Sequence, residues 1–247
     1  MPRQKGVGMA SKEIVFQEET YRIGYELVNP TAKRSMLILH GWGANREIMK
    51  KAFSRYLPDW CHIYVDLPGF GTSTIHTPLK SRDYQAIMLH FLEALGKSPE
   101  MMIGHSFGGK IATLLNPKRL VLLSSAGIVP KKALSVRLKI ALYKCLKKFG
   151  GAHFYKFFAT KDVEGMSQVM YETLKNVVDE DMSQQFMGYD GESFIFWGTD
   201  DKATPLKSGE TIHRYIQKSE FFPLQGDHFF FLLHAQFIAN VIEGELC

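Results

Sequence analysis

Residues 100–112 decide the fold, and they run Glu-Met-Met-Ile-Gly-His-Ser-Phe-Gly-Gly-Lys-Ile-Ala. The apolar run before Gly104 predicts a strand and the residues after Ser106 predict a helix, which places Ser106 in the sharp turn between them. Gly104 and Gly108 lack the side chains that would collide where strand and helix cross. Ser106 can therefore adopt strained backbone angles that leave its hydroxyl accessible. This strand–turn–helix setting indicates a nucleophilic serine.

Short apolar runs alternate with helical patterns along most of the chain. An antiparallel pair is expected at 14–16 and 21–28, followed by strands at 36–39, 62–65, 101–103, 120–123, 194–197 and 220–224. Helices are expected near 46–57, 82–95, 107–116, 206–217 and 234–244. Continuous apolar strands separated by helices are typical of a mostly parallel, twisted sheet with helices on both faces. The sequence thus predicts an α/β fold.

One interval departs from this alternation. From residue 127 to about residue 190 the pattern is helical, and its apolar residues recur on one helical face: Leu134, Leu138, Ala141, Leu142, Cys145, Leu146 and Phe149. The insert follows the strand after the serine helix, so we expect it at the carboxyl ends of the strands, where ligands bind in open α/β sheets. The sequence therefore predicts a core built from residues 1–126 and 191–247, with a helical lid at 127–190.

Composition narrows the class of protein. A chain of 247 residues with 45% hydrophobic residues can bury one large domain core. No run approaches 18 apolar residues, so no transmembrane segment is expected, and the N-terminus lacks the apolar segment of a signal peptide. Its cysteines, Cys61, Cys145 and Cys247, are odd in number and show no metal-like spacing, which favours a reducing cytoplasm. Neither a metal ion nor another cofactor is expected.

The net charge of +5 hides a strongly basic segment. Between Met101 and Lys161 there are twelve Lys or Arg residues and no Asp or Glu, whereas the rest of the chain carries 18 basic and 25 acidic residues. Nine of the twelve lie between Lys131 and Lys161, within the predicted lid. They form either a solvated helix face or a docking surface for an acidic carrier protein or anionic lipid. No nucleic-acid recognition motif accompanies them, so nucleic acid is not an expected partner.

A nucleophilic serine requires a base, an acid that orients the base, and donors that stabilise the oxyanion. We expect His228 to be the base, because it follows the last predicted strand near the C-terminus. The strand at 194–197 is followed by two carboxylates, Asp200 and Asp201. Asp201 is preferred because alternate residues in the turn point in opposite directions and Pro205 fixes the loop around it. Asp200 remains the alternative.

Two backbone N–H groups are expected to form the oxyanion hole. Phe107 follows the serine directly, and Trp42 lies in loop 40–43, whose glycines allow the backbone to approach a substrate closely. Three flanking residues are candidate pocket residues: His40, Gly41 and His105. We expect the two histidines to support their loops by hydrogen bonds rather than to act as bases.

These motifs occur in the order found in the α/β-hydrolase family, which the chain resembles over nearly its whole length outside the helical insert. The motifs are His40-Gly41-Trp42-Gly43, Asp66-Leu67-Pro68-Gly69-Phe70-Gly71-Thr72-Ser73, Gly104–Gly108, the Gly198–Pro205 loop and His228. The first two are similar to those of pimeloyl-carrier-protein methyl ester carboxylesterases and of meta-cleavage-product C–C hydrolases. One departure is the helix after the serine, which reaches Asn116-Pro117 several residues earlier than is usual in the family.

The resemblance implies an α/β-hydrolase fold with Ser106 as nucleophile, His228 as base and Asp201 as the orienting acid. It implies that the Trp42 and Phe107 amides form the oxyanion hole. These motifs identify catalytic machinery and leave the substrate open.

Hydrolysis of an ester with a small or medium acyl group, through an acyl-enzyme, is the preferred function. The alternative is C–C cleavage of a 2-hydroxy-6-oxo-dienoate by the same triad. It ranks lower because Asp201-Lys202 and His228-Phe229 do not clearly provide the extra polar groups that this chemistry uses. A third hypothesis is a receptor-like ligand-binding protein that keeps the triad and turns over slowly.

Overall fold

The computed structural model describes residues 10–129 and 166–244. Its strands are β1 Ala10–Phe16, β2 Glu19–Val28, β3 Arg34–Leu39, β4 Trp60–Val65, β5 Met101–His105, β6 Arg119–Leu123, β7 Glu192–Gly198 and β8 Ser219–Leu224. Its helices, numbered here in chain order, are α1 Arg46–Phe53, α2 Ser81–Leu95, α3 Phe107–Leu115, α4 Gln168–Val177, α5 Ser183–Met187, α6 Leu206–Tyr215 and α7 Phe231–Glu243.

The strands form one sheet in the order β1-β2-β4-β3-β5-β6-β7-β8. The pairs β1–β2 and β2–β4 are antiparallel, and every later neighbour pair is parallel. Each predicted strand begins within four residues of its expected start, and β5 begins at the expected residue. The prediction of a mostly parallel sheet is confirmed.

Two hydrophobic cores cover the two faces of this sheet. Successive residues of β3 alternate between them: Leu37 and Leu39 join the core beneath α2, α3 and α6, while Met36 and Ile38 join the core beneath α1 and α7. Because both faces are buried, the central strands carry no polar alternation, which explains why they appear in the sequence as continuous apolar runs.

The last helix begins earlier than the sequence pattern predicts. The expected start was residue 234, whereas α7 begins at Phe231. His234 departs from helical backbone angles (φ −113°, ψ 15°), which interrupts the helix after its first turn. The regular helical pattern in the sequence therefore begins only after this residue. Phe230 and Phe231 are buried in the core beneath α1 and α7, and this packing fixes the first turn of the helix.

The predicted lid lies partly outside the described residues. Residues 166–190 carry α4 and α5 and no strand. The basic residues from Lys131 to Lys161 are outside the described part, so the division into core and lid stays a prediction. Among the described helices, none has the length and apolar character needed to cross a membrane.

The turn at Ser106 depends on close contact between α3 and the sheet. Ser106 has φ 51° and ψ −114°, outside the ordinary regions for a residue with a side chain. A Cβ atom on Gly104 would lie 2.5 Å from the carbonyl oxygen of Gly108, and one on Gly108 would lie 2.6 Å from the carbonyl oxygens of Leu39 and His40. Only glycine fits at either position, as the sequence predicts.

Replacing Gly108 by Ala should destabilise the protein, because the new methyl group meets backbone carbonyls that can move only with β3 and its neighbours. We expect a loss of about 1–3 kcal/mol in the free energy of unfolding, which for a chain of this size lowers Tm by roughly 2–4 °C per kcal/mol. Differential scanning calorimetry measures the change.

Gly188→Ala is the matched control. Gly188 has an ordinary φ of −87°, and the nearest atom to an added Cβ is 3.3 Å away. Its Tm should stay within about 2 °C of the parent. If Gly108→Ala melts like this control, the crossing is less tight than the structure indicates.

Candidate active site

The backbone of Ser106 is fixed by three hydrogen bonds. Its N–H donates to the Leu123 carbonyl at the end of β6 (3.1 Å), and its own carbonyl accepts from Gly109 N–H and Ala126 N–H (3.0 Å each). Two of these bonds come from outside the turn, from β6 and the loop that follows it. The strained conformation is therefore held by the sheet and leaves the half-buried serine at the edge of a cavity.

His228 and Asp201 form the central pair of the site. His228 Nδ1 lies 2.7 Å from Asp201 Oδ2, so Nδ1–H donates to the carboxylate and the Nε2 lone pair of the neutral ring is left to accept a proton. The loops after β7 and β8 can approach this closely because Gly198 has no side chain. A Cβ atom there would lie 2.7 Å from the Gly226 carbonyl oxygen. Asp200 N–H donates to that same Gly226 carbonyl (2.9 Å).

Asp201 is held in its ionised form. Burial by itself raises the pKa of this carboxyl, but the hydrogen bond from His228, the Thr204 amide and the Ser124 hydroxyl outweigh it and lower the pKa to about 2. Asp201 Oδ1 also accepts from Ala203 N–H (2.8 Å) and Thr204 N–H (2.9 Å). The carboxylate therefore presents a fixed negative charge to the imidazole at any ordinary assay pH.

The structure distinguishes the two candidate carboxylates. The Asp201 side chain is fully buried against His228, whereas Asp200 is exposed. The third carboxylate nearby, Asp227, is also exposed and accepts from Phe229 N–H (2.8 Å). Of the three, Asp201 is the one whose carboxylate contacts the His228 imidazole.

Thr204 is a member of this group that the sequence analysis did not single out. Its hydroxyl lies 2.8 Å from Asp201 Oδ2, 3.0 Å from the Ser124 carbonyl and 3.3 Å from His228 Nδ1. The sequence did carry a signal for this contact. An Asp often accepts hydrogen bonds from the main-chain N–H groups two and three residues later, which forms a local turn that includes Thr204. That pattern occurs in many turns, and only the fold shows that this one contacts His228.

A mostly apolar cavity of about 250 Å³ opens beside Ser106. Its walls are formed by loop 40–43, the start of α3, the loop after β6, the C-terminal end of α4 with the residues just after it, and the segment 203–208. The lining residues are Trp42, Ser106, Phe107, Lys110, Ala126, Gly127, Ile128, Val129, Leu174, Val177, Val178, Asp179, Ala203, Thr204, Pro205 and Ser208. An apolar pocket with few polar groups is typical of a small-molecule site.

Trp42 and Phe107 meet at the mouth of this cavity, with their rings edge to face and centroids 5.5 Å apart. Among residues 10–129 and 166–244, neither amide donates to a backbone acceptor, and Phe107 is the first residue of α3, where the helix supplies no acceptor. A Cβ on Gly41 would lie 3.1 Å from Ser106 Cβ, so loop 40–43 packs directly on the serine. Two N–H groups are thus available next to the hydroxyl.

The structure places His40, Gly41 and His105 behind the cavity, and none of them lines it. Burial lowers the pKa of His40 to about 4, so the ring is neutral. Its Nδ1–H donates to the Gly41 carbonyl (2.8 Å) and its Nε2 accepts from Leu67 N–H (3.0 Å). His40 therefore ties loop 40–43 to the loop after β4, which is the supporting role expected of it.

Lys110 is a second feature that the sequence did not reveal. It belongs by sequence to the basic segment, yet it is buried and its Nζ donates to the Val177 carbonyl (2.6 Å) and pairs with Glu180 Oε2 (3.0 Å). Burial lowers the pKa of this lysine, and the nearby Glu180 opposes that effect. The contact joins α3 to the C-terminal end of α4 and so to one wall of the cavity.

Within the described residues, no cluster of His, Cys, Asp or Glu is arranged to hold a metal ion.

Comparison with known proteins agrees with this architecture. A model of the alpha/beta hydrolase family matches residues 36–241. A pimeloyl-[acyl-carrier protein] methyl ester esterase of Neisseria meningitidis serogroup B is 25% identical over 88% of this chain and 96% of its own length. The enzyme of the same name from Edwardsiella ictaluri is 33% identical over 35% of this chain and 33% of its own length. An esterase from Exiguobacterium antarcticum has the same fold, with a TM-score of 0.74 at 20% identity over 96% of this chain and 99% of its own.

The chain belongs to the alpha/beta hydrolase family. The family resemblance drawn from the sequence motifs is confirmed, and so is the predicted fold class.

Exchanging Asp201 for Asn should reduce kcat for ester hydrolysis by about 10³–10⁴-fold, because an amide neither fixes the Nδ1–H tautomer nor stabilises the imidazolium. Asp200→Asn is the matched control and should change kcat by less than about threefold, since its side chain is exposed. Steady-state kinetics with a small neutral ester compares them. Comparable losses in the two variants would show that the carboxylate contacting His228 is not the functional one.

Thermal melts give a second readout. The folded-state pKa of Asp201 is depressed, so its ionised form contributes stability above about pH 4, and that contribution is lost as pH falls towards 2. The Tm difference between the parent and Asp201→Asn should therefore shrink over this range.

Proposed function

We propose that this chain, an alpha/beta hydrolase that acts on ester bonds, uses Ser106 as nucleophile, His228 as general base and Asp201 as the orienting acid. The Trp42 and Phe107 amides form the oxyanion hole. One observation carries the proposal: His228 Nδ1 and the buried Asp201 Oδ2 are 2.7 Å apart, beside the cavity that Ser106 lines.

The first half-reaction is acyl transfer to the serine. His228 Nε2 takes the hydroxyl proton as Ser106 Oγ attacks the ester carbonyl carbon, and the carbonyl electron pair moves onto oxygen. The two free N–H groups of Trp42 and Phe107 stabilise this oxyanion. When the tetrahedral intermediate collapses, the C–O bond to the alcohol breaks and the imidazolium returns its proton to the leaving alkoxide.

The second half-reaction repeats these steps with water in place of the serine. His228 removes a proton from water, the hydroxide attacks the acyl-enzyme carbonyl, and Ser106 leaves as the protonated alcohol. In both halves the Asp201 carboxylate stabilises the imidazolium that forms transiently. Its depressed pKa keeps it ionised throughout, so it takes no part in proton transfer.

The cavity favours an apolar acyl group of small or medium size. Its volume is about 250 Å³, its walls are mostly apolar, and the ammonium of Lys110 is neutralised by Glu180. A chain that fills this space gains the hydrophobic free energy of burial, about 0.8 kcal/mol for each CH₂ group.

A carrier-linked substrate is the partner proposal that best fits the chain. The relatives from Neisseria meningitidis and Edwardsiella ictaluri carry names that specify an acyl-carrier-protein-linked methyl ester. In this chain, the segment from Lys131 to Lys161 supplies nine basic residues and no acidic ones, which suits an acidic carrier protein.

Ser106→Ala and His228→Ala should each lower kcat by roughly 10³-fold or more, and the double variant should lose little beyond either single one, because the two residues act as a unit. The assay is a panel of esters graded by acyl length together with one 2-hydroxy-6-oxo-dienoate. Mass spectrometry after rapid quench identifies the residue that carries the acyl group.

Full ester turnover by Ser106→Ala would contradict the mechanism. Turnover of the dienoate without any ester turnover would reassign the same triad to C–C cleavage. A burst of product followed by negligible steady release would favour the receptor-like hypothesis.

The carrier proposal is tested by replacing Lys139, Lys144, Lys147 and Lys148 with Gln; these residues lie outside the described part of the chain. We expect a higher KM for a carrier-linked ester, because electrostatic attraction accelerates encounter. In the parent, the same KM should rise with salt as the screening length falls from about 10 Å at 0.1 M to about 3 Å at 1 M.

A small neutral ester is the control substrate, and its kcat/KM should be nearly unchanged in the fourfold variant. Damage to the fold would impair both substrates. If the two suffer equally, or if neither responds to salt, the basic residues are only a solvated face.

A further inference from the structure

An imidazole that the mechanism does not use lies between the nucleophile and the base. His105 ends β5, immediately before Ser106, and is almost completely buried. Its Nε2 lies 2.9 Å from the main-chain carbonyl oxygen of His228. A single side chain thus connects the residue preceding the nucleophile to the base itself, 123 positions further along the chain.

The partners of His105 determine its tautomer. A carbonyl oxygen can only accept, so His105 Nε2 must carry the proton and donate it. Burial and the neighbouring His228 lower the pKa of His105 to about 3, which leaves the ring neutral with a bare Nδ1. Nδ1 has no hydrogen-bond partner among the described residues. A Cβ on Gly41 would lie 2.8 Å from Nδ1, so this nitrogen faces loop 40–43 and has no room for a ligand.

The ring is also held by its aromatic neighbours. Its centroid lies 4.6 Å from that of His228, 5.3 Å from that of Phe229 and 4.8 Å from that of Phe231. The imidazole therefore touches the nucleophile turn, the base loop and loop 40–43 at once.

We propose that His105 is a positioning residue that sets the distance between the Ser106 hydroxyl and the His228 ring. Asp201 anchors the side chain of His228 at Nδ1, and His105 anchors its main chain at the carbonyl. These two anchors, at opposite ends of His228, define where its Nε2 lies. The second anchor, His105, is the last residue of β5 and directly precedes Ser106. This inference rests on the proposed roles of Ser106 and His228.

The competing explanation is that His105 only fills space in the core. A space-filling role needs volume and contact, which a methionine supplies, whereas the positioning role needs an N–H that reaches the His228 carbonyl. Glutamine supplies that N–H from a side chain of comparable reach. The pair His105→Met and His105→Gln therefore separates the two roles.

We expect His105→Met to lower kcat for a small neutral ester by roughly 10²-fold, the cost of a displacement of about 1 Å in a reacting group. Its KM should stay within about twofold, because His105 does not line the cavity. His105→Gln should recover most of kcat. His105→Asn, whose amide is too short to reach the carbonyl, should behave like the methionine variant, which keeps the test valid if the methionine variant fails to fold. Tm is recorded for each.

A double variant provides the decisive readout. A residue that acts through the base has nothing to position once the base is gone, so adding His105→Met to His228→Ala should leave the residual rate unchanged. A further fall in that rate would show a general effect on the fold and overturn the proposal. Equal losses in the Met and Gln variants at the parent Tm would overturn it too.

Different outcomes would contradict the role of His105 and the roles of Ser106 and His228. If Ser106→Ala and His228→Ala are inactive but His105→Met keeps the parent kcat, the triad stands and the positioning role is wrong. If Ser106→Ala remains active, the proposed function itself is wrong, whatever His105 does.

Discussion

The close crossing of α3 over the sheet is the constraint on which the site depends. Because Gly104 and Gly108 carry no side chain, the helix approaches the β3 backbone until a Cβ on Gly108 would lie 2.6 Å from the Leu39 and His40 carbonyl oxygens. That approach forces the sharp turn at Ser106 and gives it a φ of 51°. It also leaves the first N–H of α3, that of Phe107, at the mouth of the cavity. One packing constraint therefore positions both the Ser106 hydroxyl and the Phe107 N–H, the proposed oxyanion donor.

A second layer of buried polar groups stabilises loop 40–43 against this turn. The Asp66 carboxylate pairs with the Arg46 guanidinium and accepts from the main-chain N–H groups of Arg46 and Thr72 (2.9 Å each). Asp66 and Arg46 are both buried, and removing either one would leave an uncompensated charge, which typically costs 3–5 kcal/mol. The segment that begins at Asp66 reaches loop 40–43 through the bond from Leu67 N–H to His40. The packing that fixes loop 40–43 thus extends well behind the residues that line the cavity.

Whether a feature of the fold or site could be predicted from the sequence depends on how far apart in the chain its interacting residues lie. The strands and the serine turn depend on local periodicity and on glycines a few residues apart, so the sequence predicts them well. The place of Thr204 beside His228 and the burial of Lys110 against Glu180 depend on contacts between distant segments, 24 and 70 residues apart respectively. Lys110 is instructive, because the sequence shows only that it belongs to the basic segment, whereas the structure shows that it is buried and paired with Glu180.

The turn at Ser106 is held by the sheet, whereas one wall of the cavity is held by a helix that packs on α3. Ser106, Asp201 and His228 each follow a strand of the same sheet, so their relative positions are set by strand register. The wall formed by Leu174, Val177 and Val178 belongs to α4 and its C-cap residue. The helix contacts α3 through the Lys110 bond to Val177, and its Met170 and Val177 join the same hydrophobic core. Residues on α4 can therefore change the shape of the cavity without disturbing the turn or the His228–Asp201 bond. In this architecture the sheet fixes the positions of Ser106, Asp201 and His228, while the shape of the cavity also depends on α4.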